Sequence, residues 1–484
     1  MSERLRPRDL AFLATESTTP MHNAALEVFD PGDSGFDYDR LVSLIADRLA
    51  FVPRYRQRLQ AVPGHLANPV WIDDADFDLG FHVRRSALPR PGSMEQLREL
   101  VARIASRPLD RSRPLWEVYF VEGLEGGRVA VLTKSHQVLV DGRETVDLGQ
   151  VLLDTSPDVG DLGQDDDWRP REQPTPLTLA LGALTDTVQR PLTAVNTLQS
   201  TGESVLRRLG AAGERAAEVA GTLSGRRTTS SSPIHQPLSQ QRRFVAVRTA
   251  LDDYNAIRRV HGGTVNDVIL ATVTGGLRAW LMTRSESLAG MRSIKAVVPM
   301  SVIDDELEAT SLGTQIAGHV VQLPIAEVSP VVRLHQVSYA FQAHRDTGRA
   351  VSARRLAGMA GFAPTTFHAL GSRVAADELR RGFDVSVTNV PGPQFPLYSG
   401  GARMIETYPV HPLLPDHALA IGVTSYDGGV FYGITADRDA LPDADVLGQC
   451  LVEALDELKD SVSETRLRAP RGRKKATPKR GGRR

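Results

Sequence analysis

Seven residues, His136-Gln137-Val138-Leu139-Val140-Asp141-Gly142, bring an imidazole, an amide, a carboxylate and a glycine into one short stretch. An imidazole can take and return a proton near neutral pH. Gln137 cannot accept a proton there, but its amide can orient a hydroxyl or donate to an oxyanion. Each residue also has a plainer reading: a buried histidine is usually a satisfied or bracing side chain, and for His136 both readings stand.

The flanking pattern says how these residues are held. Val129 to Leu132 is an unbroken apolar run and reads as a buried strand. Val146, Gly149, Leu152 and Leu153 fall on one helical face, so a helix is expected after the cluster. A polar cluster at a strand-to-helix junction is fixed by rigid elements on both sides. Upstream, helices are expected over Leu41 to Leu49 and Met94 to Ile104. Strands are expected at Val70 to Ile72 and Val118 to Val121, the latter turning through Gly126-Gly127 into the central strand. Downstream, strands are expected at Phe244 to Val247, Ile294 to Pro299, Ala317 to Leu323, Ala418 to Ser425 and Gly429 to Thr435. A helix should start near Thr264, where Thr264 and Asp267 approach capping-box spacing, and another should span Asp443 to Lys459. Both halves therefore read as α+β, as two similar lobes.

At 484 residues the chain can bury a large core, and 41% hydrophobic with 24% charged residues is ordinary for a globular protein. The net charge of -1 hides a basic tail: residues 466–484 hold ten Arg and Lys and no acid, which leaves -11 for the rest. One cysteine, Cys450, excludes an internal disulfide and a multi-cysteine metal site, and fits a reducing cytoplasm. The charged start shows no secretory signal, and no apolar run approaches the roughly 18 residues of a membrane span. Any membrane contact is then expected to be peripheral. No GxSxG elbow, P-loop, dinucleotide fingerprint or HExxH is present.

The motif residues resemble the HHxxxDG motif of the acyl-CoA-dependent acyltransferase superfamily, to which chloramphenicol acetyltransferase belongs. More narrowly, the chain resembles the bacterial wax ester synthase/diacylglycerol acyltransferase family. The resemblance is carried by Arg6-Pro7-Arg8-Asp9 to Pro20-Met21-His22, Pro114-Leu115-Trp116, Val265-Asn266-Asp267-Val268 and Asn389-Val390-Pro391-Gly392-Pro393, in that order over roughly residues 4 to 460. It implies an α+β fold of two chloramphenicol acetyltransferase-like lobes with the active site at their junction. It also implies transfer of a long fatty acyl group from acyl-CoA to diacylglycerol or a long-chain alcohol, without a further cofactor or metal. In the family the second histidine is the base, the aspartate holds the loop through an ion pair, and the glycine permits the tight backbone. Asp141 and Gly142 carry over, and His136 matches the supporting first histidine. The second is Gln137.

That departure leaves three readings: His136 turns in as base, a second-lobe histidine (His319, His411 or His417) replaces it, or the site is degenerate and the protein binds lipid without turnover. Transfer to a different hydroxyl acceptor is a further enzymatic alternative. By resemblance, Pro114, Leu115 and Trp116 lie near the substrate, and Asn266 and Asp267 shape the site wall; their plain readings are core packing and a helix cap. Asn389 to Pro393 reads as a rigid turn. The expected division is a lobe over 1–157, a linker over 158–241 with an amphipathic helix from Leu177 to Leu198, a lobe over 242–463, and a disordered basic tail over 464–484. That helix could pack across a lobe or touch a membrane or lipid droplet. The tail, without interleaved aromatics, suits anionic lipid better than nucleic acid.

Overall fold

The computed structural model describes residues 3–16, 19–140, 147–158, 168–181, 233–284, 292–301, 316–345 and 364–468. Its strands are β1 (His22–Asp30), β2 (Gln57–Gln60), β3 (Val70–Asp73), β4 (Val83–Ala87), β5 (Trp116–Glu122), β6 (Val129–His136), β7 (Arg242–Ala250), β8 (Ile294–Ser301), β9 (Ile316–Leu323), β10 (Val385–Pro391), β11 (Tyr398–Ser399), β12 (Ala402–Val410), β13 (Leu419–Tyr426) and β14 (Gly429–Asp437). The helices used below are α1 (Pro7–Thr15), α2 (Tyr38–Arg48), α3 (Met94–Ala105), α4 (Val265–Thr283), α5 (Pro364–Asp377) and α6 (Ala444–Arg468).

Two six-stranded mixed sheets form, in the orders β11-β12-β1-β6-β5-β4 and β7-β14-β13-β10-β8-β9. Every residue of β6 is buried. The strand lies in the middle of its sheet with both faces covered, which is why its first part is a continuous apolar run. Its neighbours are β1, with His22 opposite His136, and β5, reached through the turn at Glu125–Gly127. In the second sheet β10 runs parallel to both β13 and β8, while β13 and β14 form a hairpin through Asp427-Gly428.

The sheets do not divide the chain where the sequence suggests. β12, from the second half, pairs along β1 from Ala24↔Val410 to Asp30↔Arg403 and completes the first sheet. Helix α5 packs on β10 and β8 and also touches β1, so it spans the junction. It is buried nearly all round, from Thr366 through Ala375, as a helix between two layers must be.

Local signals account for the rest. The side chain of Thr264 accepts from the Asp267 amide and that of Asp267 from the Thr264 amide, a complete capping box at the start of α4. Ser93 and Gln96 make the same device on α3. Several expectations are corrected. After the motif there is one short helical turn, Leu148–Val151, instead of a full helix, because Asp147 caps it and Leu152 already ends it. Asn389-Val390-Pro391 closes strand β10, so only Gly392-Pro393 lies beyond it. The linker helix is described only over 176–181. There Leu177 and Leu181 are 70% and 55% exposed, while Leu179, off the expected stripe, packs with Val62, Val70 and Ile72. The remainder of Leu177 to Leu198 and residues 469–484 of the tail lie outside the described residues; 464–468 extend α6.

Candidate active site

Strand β6 delivers His136 to the end of the first sheet, where the backbone is pinned on both sides. The His136 amide donates to Leu115 O at 2.9 Å and the Gln137 amide to Met21 O at 3.0 Å. The Gln137 carbonyl accepts from Arg373 on α5 at 2.5 Å. The same guanidinium pairs with the buried carboxylate of Asp9 and lies over the Phe12 ring. The opening motif, the central motif and the second half of the chain thus meet on one arginine.

His136 is fully buried, with Nδ1 facing Val138 and Nε2 facing Glu16. Nδ1 accepts the Val138 amide at 3.1 Å, which leaves the proton on Nε2. Nε2 stands 3.1 Å from Glu16 Oε1, an ionic contact lying off the line of a hydrogen bond. Burial alone would raise the Glu16 carboxyl. His136 and Arg111 outweigh it and bring the group down to about 2. In this arrangement His136 holds the turn through Val138 and lines none of the cavities described here.

The Gln137 side chain is also fully buried, and neither amide atom has a hydrogen-bond partner among the described residues. Leaving such a group unpaired costs about 1–3 kcal/mol per polar group. A ligand's polar atoms would relieve that cost. Asp141 and Gly142 lie outside the described residues.

The other sequence candidates make packing and hydrogen-bond contacts within the fold. Pro114, Leu115 and Trp116 are buried, and none lines a cavity described here. Trp116 donates from Nε1 to Tyr55 O at 2.7 Å and stacks on His82 at 4.5 Å between centroids. Asp267 serves the cap of α4 and accepts from Ser338 at 3.1 Å. Asn266 Oδ1 accepts from Asn389 Nδ2 at 2.8 Å, which ties two separated motifs together. Of the second-lobe histidines, His319 lies on β9, and His417 bridges the carbonyls of Pro415 and Phe383. His411 belongs to the junction.

A small cavity of about 10 Å³, room for about one water, lies between the sheets, lined among others by Asn23, Thr133, Asp147, His368, Thr407 and Thr424. Polar side chains reach it because alternate residues of β1 and β6 point the same way, although most of the surface that lines it is apolar. Asn23 is 6% exposed and both of its amide atoms are without a partner among the described residues. Burial raises the Asp147 carboxyl to about 6, opposed by the Gly149 amide. Burial, with Asp147 nearby, raises Glu27 of β1 to about 8.

From α5 and the loop after β12 comes a chain of contacts. Ser372 Oγ is 2.6 Å from His411 Nδ1, His411 Nε2 is 3.2 Å from His368 Nδ1, and His368 Nε2 is 2.5 Å from Thr424 Oγ1. Sequence reasoning missed His368, Ser372, Thr424 and Asn23. No motif marks them, and only the juxtaposition of α5, β13 and β1 assembles them.

A larger cleft of about 750 Å³ opens between α3 and β7. Arg98, Arg103, Arg107, Arg242, Arg243 and Arg438 line it against Glu95, Glu99 and Asp445, so it is electropositive. Its floor approaches the motif: Arg242 donates to Thr19 Oγ1 at 2.8 Å, and His22, opposite His136, contacts Ala105 O at 2.9 Å beside the lining residue Ser106. No helix among the described residues is long and apolar enough to cross a membrane, and no cluster of three or more metal-binding side chains occurs among them.

Two lobes that meet at a histidine-bearing strand end define the two-lobed acyltransferase and condensation-domain class of fold. The first condensation domain of the CDA synthetase shares that fold, with a TM-score of 0.53 at 14% identity over 95% of this chain and 96% of that one. The wax ester synthase/diacylglycerol acyltransferase from Marinobacter aquaeolei VT8 is more similar, with a TM-score of 0.63 at 26% identity over 95% of this chain and all of that one. Residues 5–269 match the wax ester synthase/diacylglycerol acyltransferase catalytic domain and residues 312–459 the WS/DGAT C-terminal domain. Among curated proteins, a probable diacylglycerol O-acyltransferase of Mycobacterium tuberculosis, tgs3, is 42% identical over 53% of this chain and 96% of its own length. Another, tgs1, is 32% identical over 92% and 91%. The chain belongs to the wax ester synthase/diacylglycerol acyltransferase family, a family of acyltransferases.

Proposed function

We propose that this protein transfers a long-chain fatty acyl group from acyl-CoA to the hydroxyl of diacylglycerol, and also to long-chain alcohols. The observation that carries the reading is the junction cavity, where the buried Asn23 amide stands with both atoms unpaired. An apolar packing site would not hold such a group, whereas the oxyanion of a tetrahedral acyl intermediate needs a donor of this kind. The Gln137 amide, buried and unpaired at the motif position, supports a second donor or a clamp on the acceptor. Asp141 and Gly142 keep the family's structural roles in this reading. Pro114, Leu115, Trp116, Asn266 and Asp267 act through the walls they brace.

The arginine-lined cleft suits the phosphates of the donor: its cations outnumber its acids, and Arg103 and Arg107 make no ion pair among the described residues. Attack is direct in this reading: among the described residues Ser135, next to His136, is engaged by the Tyr55 hydroxyl, and Cys450 is buried in the core of the second sheet. Because diacylglycerol and long-chain alcohols reside in lipid, the protein works as a peripheral protein at a membrane or droplet surface. The exposed Leu177, Leu181 and Tyr339 are its candidate contacts.

The test is incubation of purified protein with labelled palmitoyl-CoA and either dioleoylglycerol or hexadecanol. Labelled triacylglycerol or wax ester is expected. Tight binding of both substrates with no product would establish the alternative, a lipid-binding relative that lost its base at Gln137.

A further inference from the structure

Burial, tight contacts and a glycine together make the junction histidines a built device. Gly422 of β13 lies against the His411 ring, and a Cβ there would stand 2.6 Å from two ring atoms, so only glycine leaves room for it. His368, His411, Ser372 and Thr424 are each buried.

The proton positions follow from one anchor. Ser372 Oγ is 3.1 Å from the His368 carbonyl and donates to it. With that proton assigned to the carbonyl, the hydroxyl accepts from His411 Nδ1 at 2.6 Å, and Nδ1 carries the hydrogen. In neutral His411, Nε2 is then the lone pair, and it accepts from His368 Nδ1 at 3.2 Å. That leaves the lone pair of His368 on Nε2, held by the Thr424 hydroxyl at 2.5 Å on the cavity wall. Burial holds both rings neutral: His411 is pushed down to about 4, and His368 well below the usual imidazole range by burial and by His411.

We infer that His368 is the proton acceptor of the acyl transfer, with His411 and Ser372 as positioning residues, in a chain whose motif base is replaced by Gln137. The inference rests on the acyl-transfer reading above. The acceptor hydroxyl donates to His368 Nε2 in place of the Thr424 hydroxyl. As the proton moves to Nε2, the alcohol oxygen bonds to the thioester carbonyl carbon and the carbonyl π pair becomes an oxyanion facing the Asn23 amide. The oxyanion collapses, the C–S bond breaks, and the CoA thiolate leaves with the proton returned by His368. An ester and CoA–SH result, and the imidazole is neutral again.

The test separates a base from a brace by using an acceptor that needs none. Transfer from palmitoyl-CoA is measured to hexadecanol and to a long-chain alkyl thiophenol, which is already a thiolate at pH 8. For His368→Gln, transfer to the alcohol should fall about 10²–10⁴-fold, while transfer to the thiolate stays within a few-fold of wild type. Equal loss with both acceptors, or no loss with either, would overturn the role. Wild type inactive toward both would overturn the function itself. Should His368→Gln fail to fold, Ser372→Ala removes the anchor and leaves the cavity wall in place. It should lower kcat for the alcohol alone with KM unchanged, and an unchanged kcat would overturn the relay.

Discussion

The molecule holds histidine in two buried settings that look alike in burial and differ in purpose. At the end of β6, His136 accepts a backbone amide on Nδ1 and points Nε2 at Glu16. On α5, His368 is oriented the other way: its Nδ1 faces His411 and its Nε2 faces the Thr424 hydroxyl and the cavity. The surroundings differ in charge as well. The motif side keeps an ionised glutamate, with Glu16 down at about 2, whereas the junction side keeps a protonated one, with Glu27 up at about 8. An imidazole held between a backbone amide and a fixed anion is a brace. One at the end of a neutral hydrogen-bond chain is a proton acceptor.

The largest effect that can break this contrast is loss of the brace. His136→Ala removes one of two partners of Glu16, with Arg111 left, unpairs the Val138 amide and opens a cavity, and should cost about 2–4 kcal/mol of stability in urea unfolding. A variant as stable as its parent but devoid of transfer would make His136 the reacting group. The second effect concerns the two glutamates. Glu27 has its folded pKa raised above that of the free carboxyl, so its contribution is full below about 4.5 and is lost as the pH rises toward about 8. Asp147 adds the same sign up to about 6. Glu27→Gln should remove most of the fall in stability between pH 6 and 8, and a parent whose stability is flat there would contradict a protonated junction. Glu16 acts oppositely: its contribution is present above about 4.5 and disappears as the pH falls toward about 2.

Smaller changes sharpen the picture. Gly422→Ala pushes a methyl into the His411 ring and should cost about 1–3 kcal/mol, with transfer to alcohols falling by more than thioester binding. Equal effects on both would show that the ring is only packing. Smallest of all, Arg103→Ala in the exposed cleft should raise KM for palmitoyl-CoA by roughly fivefold at most. The effect should shrink in high salt, as an interaction between exposed charges must. A KM that ignores both the substitution and salt would remove the cleft from the donor's path.

What could be read in the chain beforehand was whatever neighbouring residues decide. The apolar run of β6, the capping box of Thr264 and Asp267 and the hairpin at Gly126-Gly127 each depend on a few adjacent side chains, and each forms. The motif residues His136 and Gln137 were legible too, as was the likeness to the family. The pairing of β12 with β1 was not, because its partners are hundreds of residues apart and nothing local specifies them. Leu177 and Leu181 keep helical spacing but face outward where the helix is described, since period alone does not say which face finds a core. His368 had no signal at all. Its meaning comes from Thr424, His411 and Asn23, which three distant segments supply.

The central claim is the opposite orientation of the two imidazoles. It is tested most directly by ¹⁵N-detected histidine NMR at pH 7.5 on the full chain, with the ring signals assigned through His136→Asn and His368→Gln. The account predicts His136 protonated on Nε2 with a bare Nδ1, and His368 protonated on Nδ1 with a bare Nε2. A His368 ring that carries its proton on Nε2, or on both nitrogens, would contradict it.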